Sequence, residues 1–204
     1  MLVRYFMTSD PIIITPTADL GRAQTIMDEN SIRRLPVVDE GRVVGILSHS
    51  DLRPLNLCGV DGWESIPVAA KMTRDPWTCQ IDCPLEEAAA AMRKHHVGAL
   101  PVLRKDHLVG IVTESDLFDA FTRITYLHRG GRRVCFQISR DEKMKLFAQV
   151  IGLCDEHDVE LLTLLTHPLR ESDKDLITLR VAGDRCDAVI DRIWQLEHPI
   201  LAVS

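Results

Sequence analysis

The sequence predicts an α+β protein in which a duplicated unit of about fifty residues is followed by an unrelated C-terminal segment. Three observations carry this. Val3 to Leu52 can be laid on Val68 to Leu117 without a gap, at a constant offset of 65 residues. Apolar residues inside each copy recur at spacings of three and four, then switch to short apolar runs. Gly130-Gly131 then breaks the chain, and the residues beyond it match neither copy.

The matches in the duplication fall in one register. Met7-Thr8-x-Asp10-Pro11 meets Met72-Thr73-x-Asp75-Pro76, and Leu20, Ala23 and Met27 meet Leu85, Ala88 and Met92. Leu35-Pro36-Val37 meets Leu100-Pro101-Val102, and Val44-Gly45-Ile46 meets Val109-Gly110-Ile111. A unit this short buries too little surface to be stable alone, so the copies are expected to pack on one another. Within each copy the order reads strand, helix, strand, strand, helix. Leu20, Ala23 and Met27 share one helix face. Val37-Val38 and Val43 to Leu47 form a hairpin turning through Asp39-Glu40-Gly41, and its counterpart turns through Arg104-Lys105-Asp106-His107. Ser48-x-x-Asp51 and Thr113-x-x-Asp116 then mark helix starts. Pro54 falls at the sixth helical position of the first copy, so that helix is expected to be short or bent. The second copy continues through Phe118, Phe121 and Ile124, read as an anchoring apolar face.

In the third segment Arg132 to Ser139 reads as a strand, and Met144, Phe147, Ile151 and Cys154 as a helical stripe. Val159 to Thr166 and Asp175 to Ala182 read as strands, Asp187 to Leu196 as a helix, and Pro199 to Val203 as a closing strand. That βαββαβ order suggests a ferredoxin-like layer of helices on an antiparallel sheet. The expected divisions are 1–65, 66–129 and 130–204.

Composition narrows the function. With 204 residues, 46% of them hydrophobic, the chain can bury a real core. Net charge is −6, and the acidity is spread: residues 1–130 hold 14 Lys+Arg against 17 Asp+Glu, the rest 10 against 13. No basic region speaks for nucleic acid or an anionic membrane as partner. No run has the length of a bilayer span, and the start has no secretion-signal core, so a cytoplasmic protein is expected. The six cysteines, Cys58 among them, then read as reduced thiols.

The Met-Thr-x-x-Pro openings, Leu-Pro-Val centres and Gly-Ile-x-Ser/Thr-x-x-Asp closes strongly resemble the cystathionine-β-synthase (CBS) domain, and the two copies resemble a Bateman pair. The third segment resembles an ACT domain, and the layout is similar to the acetoin-utilisation type of CBS-ACT protein. Where ACT domains often place Asp-x-Pro-Gly, this chain has Asp141-Glu142-Lys143-Met144, which points to pairing of ACT units rather than amino-acid capture. The resemblance implies a regulatory protein that binds AMP, ADP, ATP or S-adenosylmethionine, forms a homodimer, and leaves a regulated enzyme to be identified.

The residues suit that chemistry. One ionised carboxylate can accept from both ribose hydroxyls, which marks Asp51 and Asp116. Ser48 and Thr113 stand at helix N-termini, where unpaired N–H groups favour phosphate. Arg33 and Arg34 are suited to phosphate oxygens, or are simply a solvated pair. Leu35-Pro36 and Leu100-Pro101 would line an adenine, as the resemblance implies. The bland alternative is that each hydroxyl-x-x-Asp is only a capping box, and the protein a ligand-free dimeric scaffold. His95-His96 and Cys79-x3-Cys83 are not read as metal sites. The best local nucleophile and base, Cys154 with His157, reads as core cysteine, and no catalytic motif supports an enzyme.

Overall fold

A computed structural model describes residues 1–57, 61–170, 172–195 and 200–203. Cys58 and Pro199 lie outside the described residues. The chain divides into two compact units, Met1–Asp119 and Ala120–Ser204. The dividing point falls inside a helix, ahead of Gly130-Gly131.

The first unit runs β1 (Thr8–Ser9), α1 (Leu20–Glu29), β2 (Arg34–Asp39), β3 (Arg42–Ser48), α2 (His49–Leu57), β4 (Thr73–Arg74), β5 (Cys79–Gln80), α3 (Leu85–His95), β6 (Ala99–Arg104), β7 (His107–Thr113) and α4 (Glu114–Ile124). Helix α2 runs on past Pro54 to Leu57, and at 9 residues is shorter than the 11 of α4. Its strands form two sheets, ordered β1-β7-β6-β5 and β2-β3-β4. The opening strands are therefore exchanged. Thr8 pairs with Ile111 of the second copy, and Thr73 pairs with Ile46 of the first. The exchange explains two repeated motifs at once. A Cβ on Gly110 would lie 2.5 Å from Met7 Sδ, and one on Gly45 would lie 2.5 Å from Met72 Sδ. Each Val-Gly-Ile strand thus needs a glycine because the other copy's opening methionine lies against it.

The residues ahead of each opening strand also cap the opposite helix. Leu85 N donates to Met1 O at 2.9 Å, and Leu20 N to Ile66 O at 2.9 Å. Those are N–H groups a helix start leaves unpaired, which is why α1 and α3 need no side-chain cap. Val68 accordingly packs in the core of the first copy, with Leu20, Met27, Leu35, Val37, Leu47 and Leu52.

The second unit contains the end of α4, then β8 (Arg132–Ser139), α5 (Lys143–Glu156), β9 (Glu160–Pro168), β10 (Lys174–Ala182), α6 (Cys186–Trp194) and β11 (Ile200–Val203). The sheet order is β11-β8-β10-β9, and every pairing is antiparallel. Val134, Phe136 and Ile138 of β8 and Ile177, Leu179 and Val181 of β10 meet α5 and α6 in one core.

Two expected apolar faces are corrected. On α5 the buried stripe is Leu146, Val150 and Cys154, while Met144 is 72% and Ile151 54% exposed. The four-residue spacing of the buried set keeps it on one line, and Met144 and Ile151 point away from that line. On α4 only Ala120 is buried, and Phe118 and Phe121 are 72% and 62% exposed.

Candidate functional site: two composite cavities

Each Ser/Thr-x-x-Asp closes into a cap. Ser48 N and Oγ donate to Asp51 Oδ2 at 2.7 and 2.6 Å, and Thr113 N and Oγ1 donate to Asp116 Oδ2 at 2.7 and 2.8 Å. The bland reading of these motifs is therefore present in the geometry. It uses one oxygen of each carboxylate. Among the described residues, Oδ1 of Asp51 and of Asp116 takes no hydrogen bond.

Two cavities in the first unit are built from equivalent segments. The larger, about 740 Å³, takes Ser48 and Asp51 at the start of α2, Thr73 to Trp77 from the second copy's opening, and His95 to Ala99 between α3 and β6. The smaller, about 380 Å³, takes Thr113 and Ser115, the opening residues Thr8 to Ile12, and Asn30 to Arg34. Each of these three segments lies 65 positions from its counterpart in the other cavity. Because the opening strands are exchanged, each cavity draws on both copies.

The backbone repeats with it. Asp10 and Asp75 have φ of 47° and 46°, and Ser31 and His96 have φ of 53° and 55°. These left-handed residues stand in the cavity walls.

The walls differ in charge. In the larger cavity Arg33, Arg34, Arg53 and Arg74 stand with Asp51, Asp75 and Glu114, whereas the smaller has Arg33, Arg34 and Asp10. Arg34 Nη2 reaches Glu114 Oε2 at 3.8 Å, and a Cβ on Gly98 would collide with that nitrogen. Gly98 stands where the first copy has Arg33, so the second copy's loss of an arginine makes room for the first copy's guanidinium. Trp77, at the position of Ile12, stacks on His95 with centroids 3.6 Å apart and planes 16° apart.

Of the residues singled out from sequence, Ser48, Asp51, Arg33 and Arg34 come together in the larger cavity, and Thr113 joins the arginines in the smaller. Asp116 sits behind Thr113 and is not in the wall. Leu35, Pro36, Leu100 and Pro101 are buried, and the cavities end at Arg34 and Ala99, one residue short of them. Trp77, Arg74, Arg53 and His95 were not foreseen. For Arg74 and Trp77 the signal is the repeated Met-Thr-x-Asp-Pro opening, whose chemistry appears only across the exchanged strands.

No cluster of three or more metal-ligating side chains occurs among the described residues. Burial, with the Cys83 charge beside it, pushes the Cys79 thiol up to about 12, away from a ligating thiolate. Burial likewise raises Cys154, against a nucleophilic role. Among the described residues no helix is long and apolar enough to cross a membrane.

The CBS domain family model matches residues 3–55 and 64–123. A CBS domain-containing protein of Dictyostelium discoideum is 36% identical over 137 residues, covering 61% of this chain and 93% of that protein. An inosine-5′-monophosphate dehydrogenase of Methanocaldococcus jannaschii is 29% identical over 93% of this chain, which spans only 34% of the dehydrogenase. Among solved structures, a Vibrio cholerae protein assigned to acetoin utilization is similar at TM-score 0.56 and 32% identity, over 63% of this chain and 95% of that one. A CBS domain pair in complex with 5′-methylthioadenosine and S-adenosyl-L-methionine is similar at TM-score 0.55 and 28% identity, over 60% of this chain and 97% of that one. Another similar protein, in complex with AMP, has TM-score 0.54 and 26% identity, over 60% and 97%.

Proposed function

Because the chain belongs to the CBS-domain family, we propose that its composite cavities bind adenosyl compounds and that the protein is a ligand-sensing regulator rather than an enzyme. The observation that carries the reading is Asp51. Its carboxylate is held by the Ser48 cap through Oδ2, stands in a cavity of about 740 Å³, and keeps Oδ1 for a ribose hydroxyl. The four arginines of that wall suit a phosphorylated ligand such as AMP, ADP or ATP. The smaller cavity, with Thr113, has fewer cations but also fewer acids, Arg33 and Arg34 against Asp10, and takes an adenosyl compound such as S-adenosylmethionine. Similar proteins solved with AMP or with S-adenosyl-L-methionine support this choice of ligand class.

Residues 1–65 and 66–129 act as the ligand-binding pair, and residues 130–204 as a ferredoxin-like, ACT-like unit that transmits the bound state within a cytoplasmic homodimer. In that unit Lys143 and Arg140 are tied to Asp175, so the segment where ACT domains often carry Asp-x-Pro-Gly serves structure.

Calorimetry with AMP, ATP and S-adenosylmethionine tests the reading. Asp51→Ala is expected to weaken AMP and ATP by about 10- to 150-fold, the loss of a hydrogen bond to a charged group. Asp116→Ala is expected to spare those ligands, because Asp116 is outside the larger wall. Absence of binding by all three at millimolar concentration would leave the ligand-free scaffold as the function.

A further inference from the structure

Arg133 on β8 and Arg180 on β10 are direct cross-strand partners. Their chain neighbours Val134, Leu179 and Val181 enter the core, so both arginines stand on the opposite face of the sheet. Like charges placed directly opposite are destabilising unless something neutralises them. The ion pairs described in this unit join Arg129 to Glu160, Arg132 to Asp187, and Arg140 and Lys143 to Asp175. Among the described residues, none joins Arg133 or Arg180 to a carboxylate. Arg180 Nε is buried and donates to no acceptor, and Nη1 has only a long 3.5 Å contact to Arg129 O. Burying such a donor without an acceptor is costly.

Both arginines line a cavity of about 280 Å³ whose whole wall belongs to the second unit. The rest of the wall is apolar or hydroxylic, including Phe121, Leu127, Leu165, Thr125 and Thr178, and it contains no acid. Phe121 and Leu127 are 62% and 57% exposed, so a bound molecule would cover apolar surface as well as charge.

We propose that this cavity binds a small carboxylate with a branched apolar tail, of the 2-oxo acid class. A carboxylate matches the planar fork of a guanidinium and takes both the orphaned Nε proton and the repulsion between the two arginines. The volume is too small for a nucleotide. Two arginines without an acid disfavour the ammonium of an amino acid, whereas the Thr178 hydroxyl can donate to an oxo group. Inorganic phosphate would meet the arginines but leave the apolar wall uncovered. The proposal is independent of the adenosyl sites.

Titration calorimetry on the full chain with 4-methyl-2-oxopentanoate tests it, with leucine and inorganic phosphate as comparison arms. Saturable one-to-one binding with Kd of about 1 mM or tighter is expected, with each comparison weaker by about tenfold or more. Arg133→Gln and Arg180→Gln should each weaken binding by about tenfold or more. Without ligand, neither variant should melt below the parent, since each relieves a like-charge pair. That readout separates an anion site from arginines needed for folding. Leucine or phosphate binding as tightly as the oxo acid would overturn the proposal. So would unchanged affinity in both variants, lowered melting of both, or no binding at about 10 mM.

Discussion

Asp175 shows how a single side chain can organise a loop. It is 3% exposed at the start of β10, where Lys143 Nζ donates to Oδ2 at 2.7 Å and Arg140 Nε to Oδ1 at 3.0 Å. A buried carboxylate survives only with such partners, and together they hold the turn between β8 and α5 against β10. The hydrogen bonds from Lys143 and then Arg140 hold its carboxyl below the ordinary value. A depressed pKa in the folded state contributes stability at neutral pH that disappears as acid protonates the group. The loss begins near the unfolded value of about 3.9 and completes below the folded one. Asp175→Asn should therefore melt lower than the parent at pH 7, with the two curves converging as pH falls through the depressed value of the Asp175 carboxyl. Thermal melts from pH 7 to pH 2 decide it, and a constant gap across that range would remove the titration argument. The Met7 and Gly110 pair makes a complementary point. There the required residue is the absence of a side chain, and the other copy's methionine together with the Thr8 carbonyl explains it.

The exchanged opening strands are the central feature among the elements. Removing residues 1–9 would take away β1, leave β7 as an open edge, and free the Leu85 amide that Met1 O accepts. Native-state hydrogen exchange on such a truncated chain should show β7 and the first turn of α3 losing protection by about tenfold or more, while β2 and β3 change little. Equal loss in both copies would mean that the first unit opens only as a whole. This exchange also marks the limit of what could be read from sequence. The hairpins at Asp39-Glu40-Gly41 and Arg104 to His107, the helices starting at Leu20 and Leu85, and the αβ order of the third segment were legible because local periodicity writes them. Which sheet receives Thr8 or Thr73 was not. Two equivalent repeats offer each opening strand two equivalent edges, so the pattern is the same whether pairing is within a copy or across copies. The composite cavities were hidden for that reason. Ser48, Asp51, Arg33 and Arg34 could be singled out by their chemistry, whereas Trp77 and Arg74 acquire a role only through the exchange. The surface of α5 failed differently: Met144 and Ile151 fit helical spacing, yet Leu146 and Val150 fit it as well and are the pair that packs.

At the scale of the whole molecule, the exposed apolar residues form a pattern. A scattered few would be ordinary. Here Phe118 is 72% exposed on α4 of the first unit, while Met144 and Ile151, seven residues apart on one face of α5, and Trp194 on α6 are 72%, 54% and 54% exposed in the second. The face of α5 with Met144 and Ile151 thus keeps apolar side chains where a solvated helix would be polar. Covering it, and covering Phe118, is what the proposed homodimer would do. Light scattering at micromolar concentration should give twice the 23.0 kDa of one chain. Burying one large apolar side chain contributes about 1.5–3 kcal/mol, so Phe118→Glu and Ile151→Glu should each weaken the dimer by about 10- to 150-fold. Both positions are exposed in the single chain, so neither change should lower the melting temperature of the monomer. Weakening by Phe118→Glu alone would assign the interface to the repeats, and by Ile151→Glu alone to the second unit. A clean 23.0 kDa species for the unsubstituted chain would show that neither surface drives pairing.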